Sequence, residues 1–255
     1  SLPLHIAAFS GAAELCALLL AHKSNPNAVN TGDWTPLHLA AQCGSTGAVT
    51  ELVKHGAAVD LRNEEGCTPL LMAVSQCHWA VVHTLLAMGA DVNMPDAMGV
   101  TPLFAALQVR NAEVALKLIE MGADVNAATV DQETPLHLAL EEDMLEVAEL
   151  ILQSKCEEVK TYSPTDGGDP LAATLEGMMP IHFATAIDNP FWVKRLVVLG
   201  ADVNAVSNTG LTPLKMAQEG GMDEMVQLLT EYGAREMDVF AWIELQAARK
   251  RADAK

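Results

Sequence analysis

Four histidines, His5, His38, His137 and His182, each stand two residues after a proline. Imidazoles at a fixed interval are the first feature here that could do chemistry. Gathered round one point they would hold zinc, which takes nitrogen ligands at about 2.1 Å. The cysteines offer less: Cys16, Cys43, Cys67, Cys77 and Cys156 are scattered with no Cys-x-x-Cys spacing, so they outline neither a zinc site nor a disulfide framework. Glu141-Glu142-Asp143 could present carboxylates to a cation. Its simpler reading is a helix start, with Asp143 heading a helix whose N-terminus favours negative charge. Asn189-Pro190-Phe191 matches a short ligand motif for endocytic adaptor domains, and it also reads as an N-cap followed by a first-turn proline. No Gly-rich phosphate loop, no Gly-x-Ser-x-Gly and no His-Glu-x-x-His occurs. The residues therefore point to no catalytic centre, no metal and no cofactor.

Charge narrows the partners. Thirty-three Asp and Glu face fifteen Lys and Arg, a formal charge of −18. A polyanion releases no counterions from phosphates, which disfavours nucleic acid, and it is repelled by anionic membrane surfaces. It would steer a basic partner inward. No run approaches the roughly 18 uninterrupted apolar residues of a membrane helix. The odd, unpatterned cysteine count points to a reducing, intracellular setting. The cytoplasm comes first, with the nucleus or an organelle interior open.

The elements that must position these residues are set by a period. Prolines recur at 3, 36, 69, 102, 135, 180 and 213, with gaps of 33, 33, 33, 33, 45 and 33. Around them stand Leu-Pro-Leu-His at 2–5, Thr-Pro-Leu-His at 35–38 and 134–137, Thr-Pro-Leu-Leu at 68–71, Thr-Pro-Leu-Phe at 101–104, Met-Pro-Ile-His at 179–182 and Thr-Pro-Leu-Lys at 212–215. A second mark follows five of them at twenty residues: Gly56-Ala57, then Gly-Ala-Asp-Val-Asn at 89–93, 122–126 and 200–204, then Gly233-Ala234. Within one unit, Thr35 caps a helix that Pro36 begins, and Leu37, Leu39, Ala40 and Ala41 give it an apolar side. Gly44 ends it, Val49, Leu52 and Val53 mark a second helix, and Gly56 stops that one in a left-handed turn. One such unit buries too little alone, so neighbours must stack.

Seven matches in one register make the chain resemble the ankyrin repeat over essentially its whole length. The resemblance implies an all-α ankyrin-repeat solenoid, built of stacked helix-turn-helix units with β-hairpin-like loops. The array is expected over 1–237 in seven units. The twelve surplus residues fall at about 160–175, between units five and six, in turn chemistry from Thr161 to Pro170. A capping helix with a basic end is expected over 238–255, from Asp238 through Val239, Phe240, Trp242 and Ile243 to Arg249-Lys250-Arg251. The N-terminal unit, with Leu2, Leu4, Ile6, Leu15 and Leu18, has no polar cap before it, so earlier repeats or a partner are expected to cover it. Stacked layers lie about 8–10 Å apart, too far for the histidine row to share a zinc ion. The resemblance instead implies imidazoles bonded to neighbouring turns. The same spacing argues against disulfides.

The resemblance also implies a shallow concave groove made of loop tips and first helices. Counting from each proline places Asp33, Trp34, Glu64, Glu65, Met98, Val100, Asp131, Glu133 and Glu176 at the tips. Gln42, Cys43, Ser75, Gln76, Gln108, Glu141, Glu142 and Glu219 fall on the helices. Nine of these seventeen are acidic and none is basic, with Trp34 as an apolar anchor, so a basic or mixed-charge protein partner is expected. In the insertion, Tyr162 offers an aromatic contact and Ser163, before Pro164, a phosphorylation site. Leu85, Leu118 and Leu196 stand eight residues before Asn93, Asn126 and Asn204. That spacing resembles the preference of asparaginyl hydroxylases for ankyrin hairpins, and it is equally the repeat's own consensus. The resulting reading is a non-enzymatic interaction module: a scaffold, adaptor or subunit of a larger assembly. The alternative is the regulatory or substrate-recruiting ankyrin portion of a larger enzyme or channel whose catalytic part lies outside this chain.

Overall fold

A proline at the first helical position gives up an N–H that would have no partner there anyway, and a threonine before it can satisfy the next one. The computed structural model of the chain describes residues 3–158 and 173–237, with the side chains of 154–158 left aside. In it, Thr35, Thr68, Thr101 and Thr212 each accept a bond from the backbone N–H three residues on, at 3.1 to 3.3 Å. Seven short helices start at a repeat proline, each followed by a second. The pairs are α1 Pro3–Phe9 and α2 Ala13–Ala21; α3 Pro36–Gln42 and α4 Thr46–Lys54; α5 Pro69–Ser75 and α6 Trp79–Ala87; α7 Pro102–Gln108 and α8 Ala112–Glu120. The remaining pairs are α9 Pro135–Glu141 and α10 Leu145–Glu158; α11 Pro180–Ala186 and α12 Pro190–Val198; α13 Pro213–Glu219 and α14 Asp223–Glu231. No strand occurs among the described residues. The all-helical architecture is the one expected from the period. Tyr162, Ser163, most of the insertion and the capping segment 238–255 lie outside the described residues.

The chain divides into two compact units, Ser1–Val130 and Asp131–Lys255. In the first, α1 packs on α3, α3 on α5 and α5 on α7, while α2 packs on α4 and α4 on α6. In the second, α9 packs on α11 and α11 on α13. Seven-residue helices are too short to hold themselves in water, so packing must stabilise them. It does so through one leucine layer per pair. Leu37, Leu52, Leu70, Leu85, Leu103 and Leu118 are fully buried in the first unit, as are Leu136, Ile151, Ile181 and Leu196 in the second. Each such burial contributes roughly 1.5–3 kcal/mol.

Between the helices of a pair the backbone turns through a left-handed residue. Gly44 takes φ 76°, and its close approach explains the choice: a Cβ there would lie 2.7 Å from His78 Nδ1. His78 is held by donation from Nε2 to the Gln42 carbonyl at 2.9 Å. Cys77, Arg110, Asp143 and Asp188 adopt the same turn with φ between 50° and 59°. This corrects the reading of Asp143 as the head of a helix. It sits in the turn, α10 begins at Leu145, and Glu146 is the acid of the first helical turn. Asp143 instead accepts a bond from Asn189 Nδ2 at 3.1 Å. Asn189 is the N-cap of α12, as the proline after it suggested, and accepts from the N–H groups of Phe191 and Trp192.

The long loops have the hairpin character anticipated, built on a recurrent polar residue. Asn63 Oδ1 accepts from the N–H groups of Glu65 and Cys67 at 3.1 and 2.8 Å. Asp96 does the same for Met98 and Val100, and Ser207 Oγ for Thr209 and Leu211. Successive loops are also tied tip to tip. In the first unit Glu64 N–H donates to Gly32 O, Ala97 to Glu65 O and Val130 to Met98 O; in the second, Leu175 donates to Asp131 O and Asn208 to Glu176 O.

Candidate functional site

The tip-to-tip bonds and the stacked first helices fix the backbone that carries the candidate residues, so each pair presents one loop tip and one helix end. Trp34 is the most firmly held of them. Its N–H donates to Asn30 Oδ1 at 3.2 Å and its carbonyl accepts from His5 Nε2 at 3.0 Å. Its indole stands edge-on to His38, with centroids 6.0 Å apart, and remains half-buried. A Cβ on Gly32 would meet that indole at 3.2 Å and a Glu64 carboxylate oxygen at 3.5 Å. An aromatic face and a carboxylate therefore converge at the first tips. Asp33, Glu64 and Glu65 are exposed, as is Met98, while Val100 is half-buried.

On the helix ends of the first unit, Ser75, Gln76 and Gln108 are exposed and Gln42 is half-buried. Cys43 is half-buried, and its thiol donates to the carbonyls of Ala8 and Ala40, at 3.3 and 3.4 Å. Arg62 has a part that counting from the proline did not include. Its Nε donates to the Gly66 carbonyl at 2.9 Å, which holds a cation in the same loop as Glu64 and Glu65.

The second unit gathers its carboxylates. Glu133 is half-buried at the tip before α9, and its carboxyl is pushed above the ordinary value of 4.5. Burial is the leading cause, followed by the charges of Glu141, Asp131 and Glu176. The charges of Asp131, Glu141 and Glu176, from three places in the register, thus all bear on Glu133, and α9 packs on α11. Glu142 caps the end of α9. Glu219 stands apart, with Lys215 on the same helix face at 4.0 Å. The neighbouring charges add to the burial that raises Glu133, and an approaching cation would relieve their share.

The histidines have structural partners in each unit. Nε2 of His5, His38 and His182 reaches the carbonyls of Trp34, Cys67 and Leu211, at 3.0, 2.9 and 3.2 Å. Nδ1 of His38, His137 and His182 lies 3.0 to 3.2 Å from the N–H three residues back. His38, His137 and His182 thus join the caps of their own helices, and His5, His38 and His182 reach the next loop. Burial pulls His38 and His182 below the usual imidazole value, with carbonyl bonds opposing it. The asparagines have a stacking role too. Asn93 donates to the Gly122 carbonyl and accepts from Asp124 N–H, and Asn204 brackets Gly233 and Arg235 in the same way. The buried Oδ1 of Asn126 has no partner among the described residues.

Two exposed apolar tips escaped the sequence reading. Val130 and Leu175 are 48% and 58% exposed, and both stand five residues before a repeat proline, an offset that could have found them. Phe9 is a third. It is exposed at the helix-end position that carries Gln42, Ser75 and Gln108 in later pairs. Among the described residues no helix is long and apolar enough to cross a membrane. A family model described as ankyrin repeats (3 copies) matches residues 4–96 and 81–163. No curated protein matches the chain.

Proposed function

The chain belongs to the ankyrin-repeat family, whose arrays bind protein partners, and we propose that it takes a basic or mixed-charge protein on the acidic face of its second unit. The observation that carries this reading is the raised carboxyl of half-buried Glu133, pushed up first by burial and then by the charges of Glu141, Asp131 and Glu176. Lys or Arg side chains would relieve the share that comes from those neighbouring charges. The first unit is a weaker candidate for the charged contact, since Arg62 offsets Glu64 and Glu65. It adds Trp34 and Met98 as apolar contacts of the kind that anchor interfaces. In this reading the chain is a scaffold, adaptor or subunit with no chemistry of its own, and binding is fast and salt-sensitive.

The test is selection of ligands from a library of short displayed peptides, with wild type and the pair Glu141→Lys/Glu176→Lys compared at low and high salt. Enrichment of Lys- and Arg-rich sequences that the variant loses, with melting unchanged, is the expected result. Selected peptides without excess positive charge, or peptides that bind both proteins alike at either salt, would overturn the assignment.

A further inference from the structure

The outer side of α12, in the second unit, differs from that of the six other second helices. Phe191 is 58% exposed and Val198 74%. Seven residues apart, they share one face of the helix and lie about 10 Å from each other along its axis. At the place of Phe191 the other second helices carry Glu14, Gly47, Ala80, Glu113, Glu146 and Glu224. At the place of Val198 they carry Ala21, Lys54, Ala87, Glu120, Gln153 and Glu231. Stacking therefore asks for no large apolar side chain at either position. Phe191 is also held ready. Asn189 Oδ1 accepts from its N–H at 3.2 Å while Asn189 Nδ2 donates to Asp143 at 3.1 Å, and the Phe191 ring stands edge-on to buried Trp192 with centroids 5.1 Å apart. Asn189 and Pro190 are thus taken up by the start of α12, and Phe191 is what the Asn-Pro-Phe sequence leaves to solvent. Lys194 and Arg195 lie between the two apolar residues on the same face. Arg195 is committed to Glu149 of α10, through Nη2 at 2.8 Å and Nε at 3.3 Å. Lys194 is exposed and makes no ion pair among the described residues.

We infer that the stripe Phe191–Lys194–Val198 docks an amphipathic helix of another protein, with apolar side chains against Phe191 and Val198, one carboxylate opposite Lys194, and Lys or Arg on its flanks. Spacing selects a helix. Laid along α12, it presents apolar residues at i, i+3 or i+4, and i+7 over the same two turns. Charge selects the rest. The one free cation of the stripe calls for one acid. On α10 and α14, the second helices of the adjoining pairs, Glu146 and Glu224 hold the place of Phe191 and Glu231 that of Val198, all exposed, so the rim favours cations. An aromatic anchor inside a charged rim is the arrangement that concentrates binding energy in protein interfaces. A second copy of the chain is the poorer fit. Two α12 stripes laid together in either direction bring Lys194 against Lys194, because it stands midway between Phe191 and Val198, and each copy carries a formal charge of −18. The stripe uses none of the acids around Glu133, so it stands apart from the reading proposed for them.

The experiment pans a displayed library of helix-forming peptides of roughly 18 residues, about five turns, on the full chain, with Phe191→Glu/Val198→Glu as the counter-target. Both substitutions install the residue that α14 carries at the same place, so melting should move by less than about 3 °C. Enriched peptides are expected to carry the apolar stripe, broken by one Asp or Glu and bordered by Lys or Arg. They should bind the double variant at least about tenfold more weakly. Lys194→Glu should weaken the same peptides severalfold, and exchanging their central acid for Lys should restore binding. No enrichment of peptides that depend on Phe191 and Val198 would overturn the inference, as would a Lys194→Glu loss that the exchanged peptide does not recover. Peptides lost with Glu141→Lys/Glu176→Lys but kept by Phe191→Glu/Val198→Glu belong to the acidic face and count as no enrichment here, so the two readings fail separately. A larger fall in melting would show the stripe covered by this chain itself and would count against it equally. Sedimentation should show a monomer, and a dimer dissolved by Phe191→Glu would give the stripe to a second copy instead.

Discussion

Replacing His38 with leucine separates the cost of a lost hydrogen-bond bridge from the cost of keeping an imidazole neutral. His38 is fully buried. Nε2–H donates to the Cys67 carbonyl at 2.9 Å, and Nδ1 accepts from Thr35 N–H at 3.2 Å with Thr35 Oγ1 at 2.8 Å. A second proton would have to sit on Nδ1, where a donor already points. Burial accordingly holds the ring below its ordinary value of 6.5. The sign follows. As pH falls through 6.5 the unfolded chain takes up a proton that the folded chain resists, so stability is complete above that value and declines below it. If the folded ring stays neutral, the loss at about pH 5.5 reaches a ceiling of about 1.4 kcal/mol per histidine. His182, bonded to Leu211 O and to Met179 N–H and shifted the same way, adds a second share. Leucine already occupies the equivalent position at Leu71, buried in the next pair, so the site accepts an apolar side chain. At about pH 7.5 His38→Leu should cost about 1–2 kcal/mol, because the Cys67 carbonyl and Thr35 N–H lose their partner. Toward pH 5.5 that cost should shrink by up to the same 1.4 kcal/mol. Urea unfolding of both proteins across the range, followed by circular dichroism, measures the difference directly. A wild-type-minus-variant gap that stays constant with pH would refute the argument that His38 is kept neutral.

Two other substitutions or modifications follow from local geometry. Gln132 holds φ 61° at the loop position where Gly66, Gly99, Gly177 and Gly210 sit. Gln132→Gly should therefore stabilise the protein by about 1 kcal/mol, seen as a higher urea midpoint, and a lower midpoint would show the side chain making contacts worth more than the strain. Among the described cysteines, exposed Cys77 should react first with a thiol reagent under native conditions. Cys67 should lag until the protein unfolds, since burial, and then the charges of Asp96 and Glu65, push its thiol up to about 11; equal rates at the two would contradict this.

The parts of the fold legible in the sequence are those fixed by steric and hydrogen-bonding rules that act within one repeat. Thr35 before Pro36 specifies a capped helix start whatever its surroundings, and Gly56 specifies a left-handed stop. The bonding of the repeat histidines to neighbouring turns was likewise legible, because each stands at the same place in its own unit's cap. Side-chain direction was less so. Counting placed Cys43 on a helix end but not the two carbonyls to which its half-buried thiol donates, one of them on α1. Asp143 appeared to head a helix because an acid before an apolar run is a common N-terminal sign. The turn it occupies needs a left-handed residue, and aspartate tolerates that conformation better than most. Arg62 was missed because it lies outside the counted offsets, and only the folded loop brings it back to Gly66.

The comparison of pairs within the chain says where a partner should read it. The position after each repeat proline holds Leu4, Leu37, Leu70, Leu103, Leu136, Ile181 and Leu214, all buried, because every layer presents it with the same cavity. Six residues after the proline come Phe9, Gln42, Ser75, Gln108, Glu141, Ala186 and Glu219, of which Gln42 alone is half-buried and the rest exposed. Stacking makes no demand there, so nothing in the fold accounts for an aromatic at one, amides at two and carboxylates at two others. The loop tips vary in the same way, from Glu64 and Glu65 to Ala97 and Met98 in the first unit and from Asp131 to Glu176 in the second. Residues that differ where the scaffold is indifferent are the ones a partner can select. In the second unit those free positions are filled with acids that raise Glu133. Because the helices need no charge at these sites, removing it should leave folding intact and change only what binds.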